Sequence, residues 1–181
     1  LSLESHYQER SKKNDSRGTP PEFIKKLEKL LGLRFDDYDP CSLSTDLDGM
    51  RGVDGLGPAP ESVRCYFANP PYSRGETEKW CRKFRNDQLN GVTVVALLKN
   101  AWTSGWFKRQ VFPHAQVIPV LGRIKFTSPP GPCRSCGTGK GKARIPAPLC
   151  RRVDGHGAPF ENVVAVYRPG ILPVLPTVIY P

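Results

Sequence analysis

The sequence predicts one α/β domain built on a mostly parallel sheet, a doubly wound nucleotide-type fold in trimmed form. Three observations lead there. Apolar residues take helical spacing just after Pro20, strand-like apolar runs alternate with helical stretches from Val63 onward, and the loop between Asp39 and Val63 hardly holds two crossover units. A chain of 181 residues that is 38% hydrophobic has material for one substantial core and would be cramped as two domains.

The elements follow in order. Residues 1–18 lack apolar periodicity and are rich in Ser, Lys, Arg and Asn, which predicts a flexible basic arm. The domain is expected over 19–168. Phe23, Ile24, Leu27, Leu30 and Leu31 share a helical face, Pro20 and Pro21 suit the first turn, and Gly32 can end the helix. Leu33 to Asp39 then reads as a strand delivering Asp39 to its carboxyl end. Ser42 to Ser62 reads as loop.

Val63 to Ala68 is the next predicted strand and Glu76 to Asn86 the next helix, with Trp80 and Phe84 on one face. The continuous apolar run Val92 to Leu98 suits a strand buried on both faces. Trp102 to Val111 is expected as helix, and Val117 to Val120, Gly122 to Phe126 and Val163 to Tyr167 as strands. Residues 169–181 form a proline-bearing tail that wraps the surface.

The formal charge of +10, from 27 basic against 17 acidic residues, favours a polyanionic partner, nucleic acid being the obvious one. Basic clusters include Lys12, Lys13 and Arg17; Arg82, Lys83 and Arg85; Lys108 and Arg109; Lys140, Lys142 and Arg144; and Arg151 and Arg152. A solvated surface that serves solubility is the alternative account. No apolar run approaches the roughly 18 to 20 residues of a spanning helix, and the N-terminus is polar, so a membrane partner is not expected. A cytoplasmic setting is, in a prokaryotic cell or a virus-infected host. The only methionine is Met50, so a chain starting at Leu1 reads as trimmed or partial.

The chemistry concentrates in Tyr66-Phe67-Ala68-Asn69-Pro70-Pro71-Tyr72-Ser73, a strand-like run that breaks into Asn-Pro-Pro-Tyr. An exocyclic amine such as adenine N6 has its lone pair delocalised into the ring. It becomes nucleophilic only when acceptors draw its hydrogens out of plane, and the Asn69 side-chain oxygen and the Pro70 carbonyl could be those acceptors. Pro70 and Pro71 hold a rigid extended turn, and Tyr72 can stack on a base taken out of its helix. A plain proline-rich strand exit is the competing account.

Around this tetrapeptide lie Thr19-Pro20-Pro21-Glu22-Phe23, Asp39-Pro40-Cys41, Asp54-Gly55-Leu56, Trp102-Thr103 to Trp106-Phe107, and Gly122-Arg123-Ile124-Lys125-Phe126. In this order and at these spacings the chain resembles the phage-type DNA N6-adenine methyltransferase (Dam) family, from about Thr19 to Tyr167. The resemblance implies a trimmed Rossmann-like S-adenosylmethionine-dependent methyltransferase fold, with S-adenosylmethionine as methyl donor and DNA adenine as acceptor. It also implies that Asn69, Pro70, Pro71 and Tyr72 form the transfer centre and that Thr19, Pro20, Asp39, Pro40, Cys41 and Asp54 belong to the donor site. One departure stands out: Asp39-Pro40-Cys41 is followed by Ser42-Leu43-Ser44, so the glycine-rich loop of many larger methyltransferases is absent.

Read by themselves, these residues keep alternatives open. Asp39 at a strand's carboxyl end is where an open α/β sheet places ligand contacts, or it caps the following turn. Thr19-Pro20 at a helix start offers a hydroxyl and free backbone donors to a carboxylate, or serves capping alone. Asp54 repeats the acidic argument in a loop of turn residues. Trp102, Thr103, Trp106 and Phe107 could wall a flipped base or be core.

Gly137-Thr138-Gly139-Lys140-Gly141-Lys142 fails the phosphate-loop pattern and reads as a flexible basic loop on a DNA backbone. It lies in a Gly-, Lys- and Cys-containing insertion, 131–157, that interrupts the resemblance. There Cys133 and Cys136 form a two-residue-spaced pair followed by Cys150 and His156, a set that could hold tetrahedral zinc, a disulfide or free thiols being the alternatives. Lys140, Lys142, Arg144, Arg151 and Arg152 of the insertion, with Trp102, are the expected DNA contacts. Cys41, Cys65 and Cys81 read as ordinary buried thiols. Two other functions fit the same residues: transfer to cytosine N4 or an RNA base, and nucleic-acid binding without catalysis.

Overall fold

Helix α1 (Pro21–Leu31) forms where the apolar spacing predicted it, with proline at its first position and Gly32 closing it at a φ of 63°, a left-handed value that suits glycine. Strand β1 (Cys65–Ala68), helix α2 (Glu76–Leu89), strand β2 (Thr93–Lys99), helix α3 (Gly105–Gln110), strand β3 (Gln116–Pro119) and strand β4 (Asn162–Tyr167) follow. The computed structural model describes residues 18–41, 55–73, 75–126 and 160–171. Most of the basic arm, Asp54, the Cys-containing insertion and most of the tail lie outside the described residues.

The four strands make one sheet in the order β1-β2-β4-β3. β1 pairs parallel with β2 across the α2 crossover, with Cys65 opposite Thr93 and Ala68 opposite Ala96. The other two pairings are antiparallel: β4 runs back between β2 and β3, with Lys99 opposite Asn162 and Val117 opposite Ala165. The sheet is therefore mixed, and the expectation of a mostly parallel one is corrected. An apolar run reports burial on both faces, which a central strand has whichever way its neighbours point.

Alternation along the strands divides the core in two. Tyr66, Ala68, Val94, Ala96, Leu98, Ala165 and Tyr167 face α2 and α3, where Trp80, Phe84 and Phe107 cover them. Val95, Leu97, Val164 and Val166 face α1, where Leu27 packs with Ile124, Phe126, Phe23 and Tyr72. The product is a sheet between helical layers, an α/β sandwich.

Two predicted strands are not strands. Leu33 to Asp39 follows β1 only locally: the Asp36 N–H donates to the Cys65 carbonyl at 2.7 Å, but the Asp36 carboxylate takes the N–H groups of Arg64 and Cys65 at 2.6 and 2.9 Å. A side chain thus occupies donors that a paired strand would meet with carbonyls, and no ladder forms. Gly122 to Phe126 keeps the strand-like alternation, Ile124 and Phe126 buried and Arg123 and Lys125 exposed, but its backbone joins no ladder. Among the described residues, no helix is long and apolar enough to cross a membrane.

Candidate active site

The carboxyl ends of β1 and β2 lie side by side, and because β4 is antiparallel its first residues start at that same end. Asn69 follows directly on β1. The chain then turns through Pro70 and Pro71, and Thr77 in the first turn of α2 donates its hydroxyl to the Pro71 carbonyl at 3.1 Å. That bond ties the motif to the helix, so the turn is held at both ends.

Tyr72 folds back over the sheet. Its hydroxyl donates to Asn69 Oδ1 at 2.7 Å, with the Leu97 carbonyl as a second acceptor at 3.1 Å. Its ring meets Phe160 edge to face, centroids 5.1 Å apart, and the Lys99 ammonium lies 5.3 Å above the Phe160 ring. Three of the four motif residues are half-buried and Pro70 is buried, so the group is rigid yet reaches the surface. The motif and Asn162 are thereby brought together; sequence reasoning did not pick out Asn162, although a lone polar residue heading an apolar strand was a legible signal.

A pocket of about 460 Å³ opens at this end of the sheet, lined by Asn100, Ala101, Trp102, Thr103 and Glu161. Asn100 donates its side-chain amide to Glu161 at 3.2 Å, closing one rim. Trp102 is packed as core, its ring stacking on Phe107 at 6.3 Å and meeting Phe112 at 5.4 Å, and it is also one of the residues that line the pocket. Its indole N–H is buried without a hydrogen-bond partner among the described residues.

The donor-site candidates separate. Asp39 caps the turn it opens, accepting the Cys41 N–H at 2.9 Å; desolvation raises its carboxyl pKa, and that N–H bond partly offsets the rise. Cys41 packs on the α2-side core, where burial raises its thiol pKa well above the usual value. The turn is pressed against Gly55, where a Cβ would stand 2.5 Å from the Pro40 carbonyl oxygen and 3.0 Å from the Trp80 ring, so only glycine fits. The Asp39-Pro40-Cys41 turn thus meets Gly55 of Asp-Gly-Leu through Pro40.

Thr19 and Pro20 are on the other face of the sheet, at the start of α1. The far end of that helix is pinned by Arg168, which donates to the Leu31 carbonyl at 3.3 Å, and Phe23 in its first turn joins the apolar cluster of Tyr72 and Phe160. The Thr19 hydroxyl is buried without a hydrogen-bond partner among the described residues. The candidate zinc ligands Cys133, Cys136, Cys150 and His156, and the expected DNA contacts Lys140, Lys142, Arg144, Arg151 and Arg152, lie outside the described residues.

One supposed surface cation is internal. The Lys83 side chain is 2% exposed and Asp87, one turn on, 1% exposed, their Nζ and Oδ2 atoms 2.7 Å apart. Asp87 also accepts the Tyr66 hydroxyl at 2.5 Å and the Ala59 N–H at 3.1 Å, and Lys83 donates to the Gly57 carbonyl at 2.7 Å. This buried network fastens the 57–59 loop to α2 and removes Lys83 from the basic surface. Burial and the Asp87 bond both raise the Tyr66 pKa. The signal was position: Lys83 and Asp87 fall at i+3 and i+7 from Trp80, on the face that α2 buries.

Comparison of the chain with family models, with curated proteins and with solved structures found no match.

Proposed function

We propose that the chain is an S-adenosylmethionine-dependent methyltransferase that modifies adenine N6 of a flipped-out DNA base through Asn69, Pro70, Pro71 and Tyr72. The observation that carries this reading is the Asn69 carboxamide oxygen, bonded by Tyr72 at the carboxyl end of β1, the end of the sheet at which the pocket opens. Open α/β sheets bind their ligands at that end of the strands.

A carboxamide oxygen has two lone pairs, so Asn69 can receive the acceptor amine while keeping Tyr72. Tyr72 can also fall back on the Leu97 carbonyl, so releasing Asn69 leaves no phenol unsatisfied. With Asn69 Oδ1 and the Pro70 carbonyl each taking one amine hydrogen, the nitrogen lone pair is freed for in-line attack. Catalysis then comes from orientation, with no strong base required. The half-buried Tyr72 ring and the Trp102 wall offer the target base aromatic surfaces.

The donor supplies an electrophilic methyl group. Its carboxylate fits the unpartnered Thr19 hydroxyl at the start of α1. With the carboxylate there, Asp39 on the opposite face would take a ribose hydroxyl, because the donor's ammonium shares a carbon with its carboxylate. The parallel β1-β2 pair joined by the α2 crossover supports an α/β sheet with its ligand contacts at the strand ends. The basic surplus supports DNA as partner.

The test is incubation with labelled donor and unmethylated DNA, followed by nucleoside analysis. N6-methyladenine is expected. N4-methylcytosine would reassign the acceptor, and no labelled nucleoside would leave a binding module in place of the enzyme.

A further inference from the structure

Asn162 opens β4 and is 1% exposed. Its Nδ2 donates to the Tyr72 hydroxyl oxygen at 3.4 Å and to the Leu98 carbonyl at 3.3 Å, while its Oδ1 is buried with no hydrogen-bond partner among the described residues. For folding alone this is a poor residue. The next four positions of β4 are Val163, Val164, Ala165 and Val166, all buried, and a valine at 162 would continue them without stranding a carboxamide oxygen.

The gain is at Tyr72. A phenol has one proton, and two acceptors compete for this one: Asn69 Oδ1 at 2.7 Å and the Leu97 carbonyl at 3.1 Å. An N–H given to the phenol oxygen holds that oxygen at the junction and polarises its O–H bond, strengthening the bond it donates. The chain of donors runs from Asn162 through Tyr72 to Asn69, from the core of the sheet to the end of β1.

We propose that Asn162 is a positioning residue that acts through the Tyr72 hydroxyl to fix the Asn69 carboxamide in the orientation that receives the acceptor amine. Its catalytic consequence rests on the methyltransferase reading, but the geometry does not. The alternative, a residue needed only to fold β4, makes different predictions.

Two measurements separate them. With tyrosines labelled at the ring Cζ carbon, the Tyr72 NMR signal is assigned by its loss in Tyr72→Phe. Asn162→Val should shift that signal while the thermal midpoint stays at or above the wild-type value; Asn162→Ser, too short to reach the phenol, should shift it likewise and serves if the valine variant does not fold. In the transfer assay the variant should lose about five- to tenfold in kcat, the worth of one hydrogen bond, with KM for the donor unchanged. In a Tyr72→Phe background the same substitution should change kcat by less than about twofold, because its route is already cut.

An unmoved Tyr72 signal, or an equal kcat loss with and without the Tyr72 hydroxyl, overturns the proposal. If the wild-type protein transfers no methyl group, the functional reading fails, and the Tyr72 signal alone decides the positioning.

Discussion

Replacing Asp87 by alanine should be among the most damaging single changes available in this fold. The substitution removes three hydrogen bonds at once, from Lys83 at 2.7 Å, Tyr66 at 2.5 Å and Ala59 at 3.1 Å, and leaves a lysine ammonium that is 2% exposed without its counter-charge. Breaking a buried pair by deleting one partner costs about 3–5 kcal/mol. The orphaned phenol and amide would add to this, but the 57–59 loop can yield and let water reach Lys83, so a net loss of about 4 kcal/mol is expected.

Urea unfolding followed by tryptophan fluorescence measures it. With a slope of about 2 kcal/mol per molar urea, the midpoint should fall by about 2 M. Replacing the whole network, as Tyr66→Phe, Lys83→Met and Asp87→Leu together, should recover most of that loss, because apolar groups of similar volume leave no charge stranded. A loss below about 1 kcal/mol for Asp87→Ala would refute the reasoning, since that is the worth of a solvated surface pair.

Four further outcomes are expected. Asn69→Ala should abolish transfer with donor binding largely intact and Asp39→Ala should do the reverse; calorimetry showing equal loss of donor affinity in both would sink that division of roles. The Cys65 and Arg64 N–H groups hold the Asp36 carboxyl below its ordinary 3.8, so the stability it contributes is present above that unfolded value and lost as pH falls through the lower folded one. The stability gap between wild type and Asp36→Asn should therefore shrink on acidification, and a gap constant with pH contradicts this origin. DNA affinity should fall with salt at a log–log slope of about −0.9 per phosphate neutralised, and removing Lys140, Lys142 and Arg144 together should flatten it; an unchanged slope puts the DNA track elsewhere. Elemental analysis should find about one zinc per chain, as one tetrahedral site requires, with less in Cys133→Ser; metal-free protein carrying a disulfide at Cys133 or Cys136 would reject the site.

Much of the fold was readable along the chain because its cause is local. The face Phe23, Leu27 and Leu31, with proline before it and Gly32 after it, specifies α1 without reference to anything else. The unbroken apolar run that became β2 announced a strand buried on both faces, and Asn-Pro-Pro-Tyr marked the end of β1, since prolines exclude the chain from both ladder and helix.

Tertiary structure alone decided what depends on partners distant in sequence. Strand direction is one case: Val163 to Tyr167 is equally apolar in either orientation, and only its place between β2 and β3 made it antiparallel. The Asp36 carboxylate turned an expected strand into an edge segment by bonding residues 28 and 29 positions away. Lys83 and Asp87 share the face that α2 buries, but the groups that satisfy them are supplied only when the 57–59 loop closes over them. Asn162 acquires its meaning only where β4 meets Tyr72, 90 residues earlier in the chain. Periodicity records how a side chain is divided between water and core, because that depends on near neighbours. Which donor finds which acceptor depends on contacts that chain folding alone creates.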